Sequence, residues 1–423
     1  MARFTRIDLW LSRFTLMLSF TLGVASILLT ANMAHAAISG DIVFYSNRVD
    51  LANNGNYARW VREFQAQYPE VRVRVEAIAD YEAAMPKRFE ARNYGDVMLV
   101  PRDMPKQTYA KYFVPLNDLQ LENKIYFADN WAYEGKHYAY TQGVIAEGLV
   151  YNKRVLQAAG IKQPPTTLNE LIAQADKLKA AGITAIALNI GAAWPLQQWD
   201  KAVMALAKDG NYFAKMIDDS QPFNPGKPYY QSLKIAHDLF TKGYSESDFI
   251  VNNWEQSKRD FIGNKTAFFF LGNWVIPQLI ESGMPSADIG FIPFPFDNTA
   301  TPKAILNFDW GMAVSRYSKH PAAAKAWIDF IISKSNFADV AGFIPTDKAR
   351  SSTMPQLAEY MAYKPEIIQA APESNDFIRM ANKAGMDFMS GNYIRNILMS
   401  PDFEGSMHYW NKRWRQAKEN FNR

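Results

Sequence analysis

Two rhythms of apolar residues alternate along most of the chain. Ile42–Tyr45 is a short apolar run, and behind it Tyr57, Trp60, Val61, Phe64 and Tyr68 recur mostly at intervals of three and four residues. The run predicts a strand and the recurrence predicts the buried face of a helix. Val71–Ala77 alternates apolar and charged residues, the period of a strand with one wet face, and Val97–Val100 predicts a short buried strand. Residues 38–120 therefore read as an α/β lobe. Functional side chains in such a lobe lie beyond the C-terminal ends of strands, a rim occupied here by Ser46, Asn47, Arg102 and Asp103.

A second lobe begins after residue 148. Thr167-Leu-Asn-Glu170 predicts a capping box for a helix with Leu168, Leu171, Ile172, Ala175 and Leu178 as its stripe, ended by Gly182 before a strand at Ile183–Leu188. Helices at Tyr229–Lys242 and Trp254–Ile262 follow, then a strand at Ala267–Leu271 and a Gly272-Asn-Trp274 turn into a helix ending near Ile280. Ile289–Phe296, broken by Gly290, Pro293 and Pro295, and Ala341–Thr346, with Gly342 and Pro345, read as extended crossings. Gly311–Ser315 predicts a further strand. Pro321 suits the first position of a helix with Ala324, Trp327, Ile328 and Ile331 inward, and Met354–Arg423 reads as helical with frequent breaks. Tyr229 and Tyr230, adjacent on a helix, cannot share a face and read as one core and one surface residue. A chain that passes between two lobes more than once makes a cleft and a hinge.

Arg3, Arg6 and Arg13 precede the mostly apolar Phe14–Ala31, and Ala34-His35-Ala36 supplies the small residues read by a signal peptidase. Residues 1–36 are therefore predicted to be a cleaved signal peptide, with a membrane anchor as the alternative that this length just allows. The charge balance of 46 Lys and Arg against 42 Asp and Glu, with no long basic run, gives no case for nucleic acid or an anionic membrane. The chain has no Cys, which excludes disulfides, thiolate metal sites, Cys nucleophiles and a Cys-based lipid anchor.

Catalytic signatures are missing. His137, His237, His320 and His408 are widely separated and form no metal-binding motif, and neither Gly135-Lys136 nor Gly226-Lys227 continues into a phosphate loop. No cofactor or metal is expected. A pair of carboxylates acting on a glycosidic bond stays open, because such acids come from anywhere in a chain; Asp103, Glu147 and Asp309 are its candidates. The stronger signal is aromatic. Phe, Trp and Tyr make up 14% of the residues, and several tryptophans fall beside turns: Trp194 before Pro195, Trp199 before Asp200, Trp274 after Asn273 and Trp310 after Asp309. A flat ring beside a carboxylate or amide suits a sugar, which offers a C–H face and hydroxyls that must all be paired. Rings that merely cover helix ends and lobe edges are the alternative.

Gly135-Lys-His-Tyr138, Gly148-Leu-Val-Tyr-Asn-Lys153, Ala159-Gly160 and Pro164-Pro-Thr-Thr167 occur in a telling order, supported by Gly263–Trp274, Gly311–Ser315 and Ser318-Lys-His-Pro321. In order and spacing these stretches resemble the extracellular solute-binding proteins of ABC sugar importers, the group that includes the maltose-binding protein, over essentially the whole mature region. The resemblance implies an α/β periplasmic binding protein fold: two lobes, three crossings near Ile145–Leu149, Phe291–Phe296 and Gly342–Thr346, and a ligand cleft. On that division the N-terminal lobe is 37–147 plus 297–342 and the helix-rich C-terminal lobe is 148–296 plus 343–423.

The same resemblance implies a monomeric, non-enzymatic carrier, free in the periplasm, that delivers a mono- or oligosaccharide to the membrane permease of an ABC transporter. Trp274 then stands where a ring packs on sugar, Asp103 is the acid after the third strand, Glu147 lies at the first hinge and Asn47 ends the first strand. Trp194, Trp199, Asp309 and Trp310 are expected in the cleft. Arg102, beside Asp103, suits either the carboxylate of a uronate or an outward salt bridge. A secreted carbohydrate-active enzyme, or the same fold carrying a peptide or polyamine, remain the alternatives.

Overall fold

The computed structural model describes residues 38–421 apart from Asp80, Arg102, Asp103, Asn252, Asn253 and Met389; the expected signal peptide and the Arg102–Asp103 pair lie outside the described residues. Its main strands are β1 (Gly40–Ser46), β2 (Val71–Ala77), β3 (Val97–Leu99), β4 (Val144–Asn152), β5 (Thr184–Ala187), β6 (Thr266–Gly272), β7 (Ile289–Ile292), β8 (Lys303–Phe308), β9 (Gly311–Val314) and β10 (Glu366–Gln369). The principal helices are α1 (Asn56–Gln67), α2 (Leu168–Ala180), α3 (Gln197–Ala207), α4 (Pro228–Thr241), α5 (Trp254–Ile262) and α6 (Val275–Glu281). They continue with α7 (Pro321–Asp329), α8 (Pro355–Ala362), α9 (Asn375–Ala384), α10 (Asn392–Leu398) and α11 (Phe403–Phe421).

The chain forms two compact units. The smaller runs to Leu99 and adds Ala110–Val114 and Ala313–Phe330; the larger comprises Val100–Tyr109, Pro115–Met312 and the chain from Ile331 onward. In the smaller unit β1 pairs in parallel with β2, from Gly40 opposite Val71 to Ser46 opposite Ala77, and with β3 on its other side. The alternation of β2 has its predicted effect: Val71 is buried while Arg72 and Arg74 are exposed. The stripe of α1 likewise buries Tyr57, Trp60 and Phe64, and Phe64 meets Trp327 of α7 edge-on at 5.2 Å.

The larger unit is built on a six-stranded sheet of order β10-β8-β4-β6-β5, with β7 also paired to β4. β4 is its axis, and every one of its nine residues is buried. Antiparallel pairing sets β6 along one edge of β4, and β8 and β7 end to end along the other. Strand alternation divides the apolar residues between two cores. Leu149, Tyr151, Phe268 and Phe270 face α2, α3, α4 and α9 to α11, whereas Ala146, Val150, Phe269 and Leu271 face α5, α6 and α8.

The capping box forms as predicted: the Thr167 hydroxyl accepts from the Glu170 amide at 3.2 Å, and the Glu170 carboxylate accepts from the Thr167 amide at 3.3 Å. Tyr229 is fully buried and donates to Asp200 at 3.0 Å, while Tyr230 is only partly covered. Late in the chain, α11 buries Trp410, Trp414 and Ala417; its Asn411 accepts from the Phe223 amide at 3.0 Å, and the Trp414 indole donates to the Asp219 carbonyl at 2.9 Å. β10 departs from expectation, since it interrupts a stretch that reads as helical. Of its residues only Ile368 is buried, so this edge strand carries no two-faced alternation to betray it. Among the described residues no helix is long and apolar enough to cross a membrane.

Candidate functional site

Where β8 ends in the larger unit, Asp309 and Trp310 make a corner tied to residues 141–143. The Asp309 amide donates to the Gly143 carbonyl at 2.9 Å and the Gln142 amide to the Trp310 carbonyl at 3.0 Å. The Thr141 hydroxyl donates to the Asp309 carbonyl at 3.0 Å, and Gln142 Nε2 donates to the Asp309 carboxylate at 2.6 Å. Trp131 packs edge-on against Phe308, their ring centres 5.5 Å apart. Gly311 makes this possible, because a Cβ at that position would stand 2.6 Å from the Trp131 ring.

This corner forms one wall of a cavity of about 360 Å³, within the usual range for small-molecule sites. The rings of Tyr109, Trp131, Phe308, Trp310 and Phe388 line it together with Asn130, Asp309, Glu373 and Asp387, and with the cations Lys106 and Arg379. Among the described lining residues three carboxylates stand with two cations, so the wall offers acceptors to hydroxyl groups. Burial pulls the Lys106 ammonium below its ordinary pKa, against the opposing pull of Glu373 and Asp129. Burial also raises the Tyr109 phenol, which stays a neutral donor. Asn130 is buried, and its Nδ2 has no hydrogen-bond partner. An unused buried donor is costly unless something from outside the chain accepts from it.

A second group of rings lies at the same end of the sheet. Trp194 opens a short 3-10 turn, Trp254 opens α5, and Trp274 stands just before α6. Their centres are 5.0 Å apart for Trp194–Trp254, 5.7 Å for Trp194–Trp274 and 6.0 Å for Trp254–Trp274, and all three are half-buried. Gly272 lets the Trp274 indole fold back, since a Cβ there would lie 2.6 Å from both that ring and Ile145. Pairing fixes the relation to the cavity: Asn307 on β8 faces Ile145, and Gly272 on β6 faces Glu147. The two strands are two spacings, about 10 Å, apart.

The residues expected from sequence divide accordingly. Asp309 and Trp310 come together at the cavity, and Trp194 and Trp274 come together in the tryptophan cluster. Glu147 is on β4 between them, but it is fully buried and its Oε1 is 2.5 Å from Lys201 Nζ. Its carboxylate therefore serves first to neutralise a buried ammonium. Trp199, expected in the cleft, is a core residue instead: it is 2% exposed and meets Phe270 and Phe294 edge-on at 5.1 and 5.6 Å. Asn47 belongs to the smaller unit, just past β1, where its amide oxygen is buried without a hydrogen-bond partner.

Sequence reasoning missed Asn130, Trp131 and Trp254 as site residues. A signal was present, because Asn130-Trp131 and Asn253-Trp254 repeat the amide-then-tryptophan pairing of Asn273-Trp274. Glu373 and Arg379 carried none. Among the described residues no cluster of His, Asp and Glu is placed to hold a metal ion.

Residues 52–336 match the family model described as bacterial extracellular solute-binding protein. An ABC transporter extracellular-binding protein of Pyrococcus horikoshii is 24% identical over 310 residues, 68% of this chain and 67% of that protein. A probable sugar-binding periplasmic protein of Rhizobium meliloti is 32% identical over 148 residues, 34% of either chain. A solved structure of a manno-oligosaccharide specific solute-binding protein of Bifidobacterium animalis subsp. lactis, in complex with mannotriose, has the same fold. Its TM-score is 0.82 at 23% identity, covering 91% of this chain and 96% of that one.

Proposed function

The chain belongs to the bacterial extracellular solute-binding protein family, and from that premise we propose that it binds a mono- or oligosaccharide and hands it unaltered to the membrane permease of an ABC transporter. Members of this family are binding proteins rather than enzymes, and they work in the periplasm or outside the cell. The observation that carries the carbohydrate reading is the cavity wall, which combines aromatic rings with hydrogen-bonding groups. Trp131 and Trp310 offer surfaces for a sugar's C–H groups, Asp309 and Glu373 accept from its hydroxyls, and Asn130 Nδ2 donates to an oxygen. The relative named for sugar binding and the neighbour holding mannotriose support the same class.

The proposal includes the lobes 37–147 plus 297–342 and 148–296 plus 343–423. The cavity wall takes Tyr109, Trp131, Asp309 and Trp310 from the first of these and Glu373 and Phe388 from the second. A solute held there touches both stretches, so its differential affinity favours the form in which both grip it. We include export by cleavage after Ala36, release into the periplasm without a lipid anchor, and action as a monomer. Glu147, one candidate for sugar hydrolysis, is engaged by Lys201, which favours binding over cleavage.

The test is a thermal-shift screen of the purified protein against monosaccharides, mannotriose, other neutral oligosaccharides and uronates, with chromatography of the recovered sugar. A ligand that binds only the folded state adds about 2.7 kcal/mol of apparent stability at one hundred times its Kd. A rise with a neutral saccharide recovered intact is the expected outcome. A flat response to the whole panel, or a new sugar species, rejects the proposal.

A further inference from the structure

β5 is an edge strand, so the backbone amides on its outer side need acceptors that no further strand supplies. One segment, Tyr244–Glu246, provides them. The Ile186 amide donates to the Tyr244 carbonyl at 3.1 Å, and the amides of Leu188 and Ile190, just past the strand's end, donate to the two carboxylate oxygens of Glu246 at 2.9 and 2.8 Å. A single side chain thus does what two carbonyls of a neighbouring strand would do.

The loop beyond is clamped from two sides. At Gly191 a Cβ would fall 1.9 Å from the Val251 carbonyl, and at Gly391 one would fall 2.0 Å from the Ala193 carbonyl. Within the clamp, Asn189 has φ +59° and Ala193 φ +63°, the left-handed region that residues with a Cβ avoid unless their surroundings hold them there. The loop ends on Trp194. The segment that carries Glu246 ends on Trp254, whose ring is the nearer of Trp194's two partners. Burial raises the Glu246 carboxyl above its ordinary range, against the pull of the backbone amides it accepts from.

We propose that Glu246 is the positioning residue of the tryptophan cluster: its carboxylate holds the Leu188–Trp194 loop in its strained form and so sets Trp194 against Trp254 and Trp274. The consequence for ligand affinity rests on the carbohydrate reading above, extended to Trp194 and Trp274 as the rings expected to face the sugar; the consequence for ring geometry does not. Hydrogen bonds to an ionised carboxylate are stronger than those to a neutral group. Gln in this place keeps one acceptor oxygen but turns an NH2 donor toward the second amide, and Ala keeps neither.

The experiment compares wild type, Glu246→Gln, Glu246→Ala and Thr167→Ala by near-ultraviolet circular dichroism without ligand and by saccharide titration. Thr167→Ala removes the cap of α2 and so reports what general destabilisation does. In Glu246→Ala the signal of the interacting indoles collapses and affinity falls about ten-fold or more, in Glu246→Gln both changes are partial, and Thr167→Ala alters neither. If Glu246→Ala does not fold, the partial loss in Glu246→Gln carries the test. A wild-type spectrum in the glutamate variants, or equal losses in Thr167→Ala, overturns the proposal. Should the wild-type protein bind no saccharide, the carbohydrate reading falls, while the spectra still decide the role of Glu246.

Discussion

Trp194 and Trp199 flank one short turn, and they end in opposite environments. Trp199 lies on the first turn of α3, and helix spacing puts it on the same face as Ala202 and Val203, turned inward against Phe270 and Phe294. Trp194 precedes the helix. Ala193, with φ +63° and ψ −50°, turns the chain just ahead of it, the Trp194 amide donating to the Ala192 carbonyl at 2.8 Å, and the Trp194 ring joins Trp254 and Trp274. Both tryptophans stand beside a turn-forming or charged residue in sequence. What separates them is whether a helix has already claimed the side chain for its buried face.

The largest effect expected from this contrast is at Trp199. Trp199→Ala should lower stability by about 3–5 kcal/mol in denaturant unfolding, while the folded fraction binds ligand with wild-type affinity. A loss under about 1 kcal/mol would remove Trp199 from the core. Lys201, on the same helix, extends the test to charge. Lys201→Met strands the Glu147 carboxylate and should cost about 3 kcal/mol, and adding Glu147→Gln should restore part of it. On the presented side the order reverses. Trp274→Ala should weaken saccharide binding by about ten- to one hundred-fold in calorimetric titration, with little change in melting temperature.

The smallest effect belongs to an exposed position. The Glu170 carboxyl is held below its ordinary pKa first by the Thr166 amide and then by the Thr166 hydroxyl and the Thr167 amide. Its contribution is complete above the ordinary carboxylate range and is lost as pH falls through the lowered value. In Glu170→Gln the stability-against-pH curve should therefore fall less steeply on its acid side, as read from urea midpoints across that range.

Legibility followed periodicity. α5 has the bounds its apolar spacing predicts, β2 has the bounds its alternation predicts, and the Thr167–Glu170 capping box forms with the expected hydrogen bonds. These signals lie within a few neighbouring residues. β8 and β10 were not read, since one lies in the interior of the sheet without a clear two-faced pattern and the other is a nearly exposed edge. The site was half legible for a related reason. An amide or acid followed by tryptophan marks where a ring leaves a regular element, which picked out Trp274 and Trp310. The placement of Glu373 and Arg379 beside Trp131 is a product of long-range folding, and no local pattern records it.

α11 has a consequence for timing. Its Asn411 and Trp414 fasten onto Phe223 and Asp219, which lie 188 and 195 positions earlier in the chain. The ribosome must therefore complete nearly the whole of the larger unit before its core can shut, because contacts so distant in sequence cannot form while their second half is still being made. The late helix thus acts as a latch, fastening the core of the larger unit only after the chain ahead of it is in place.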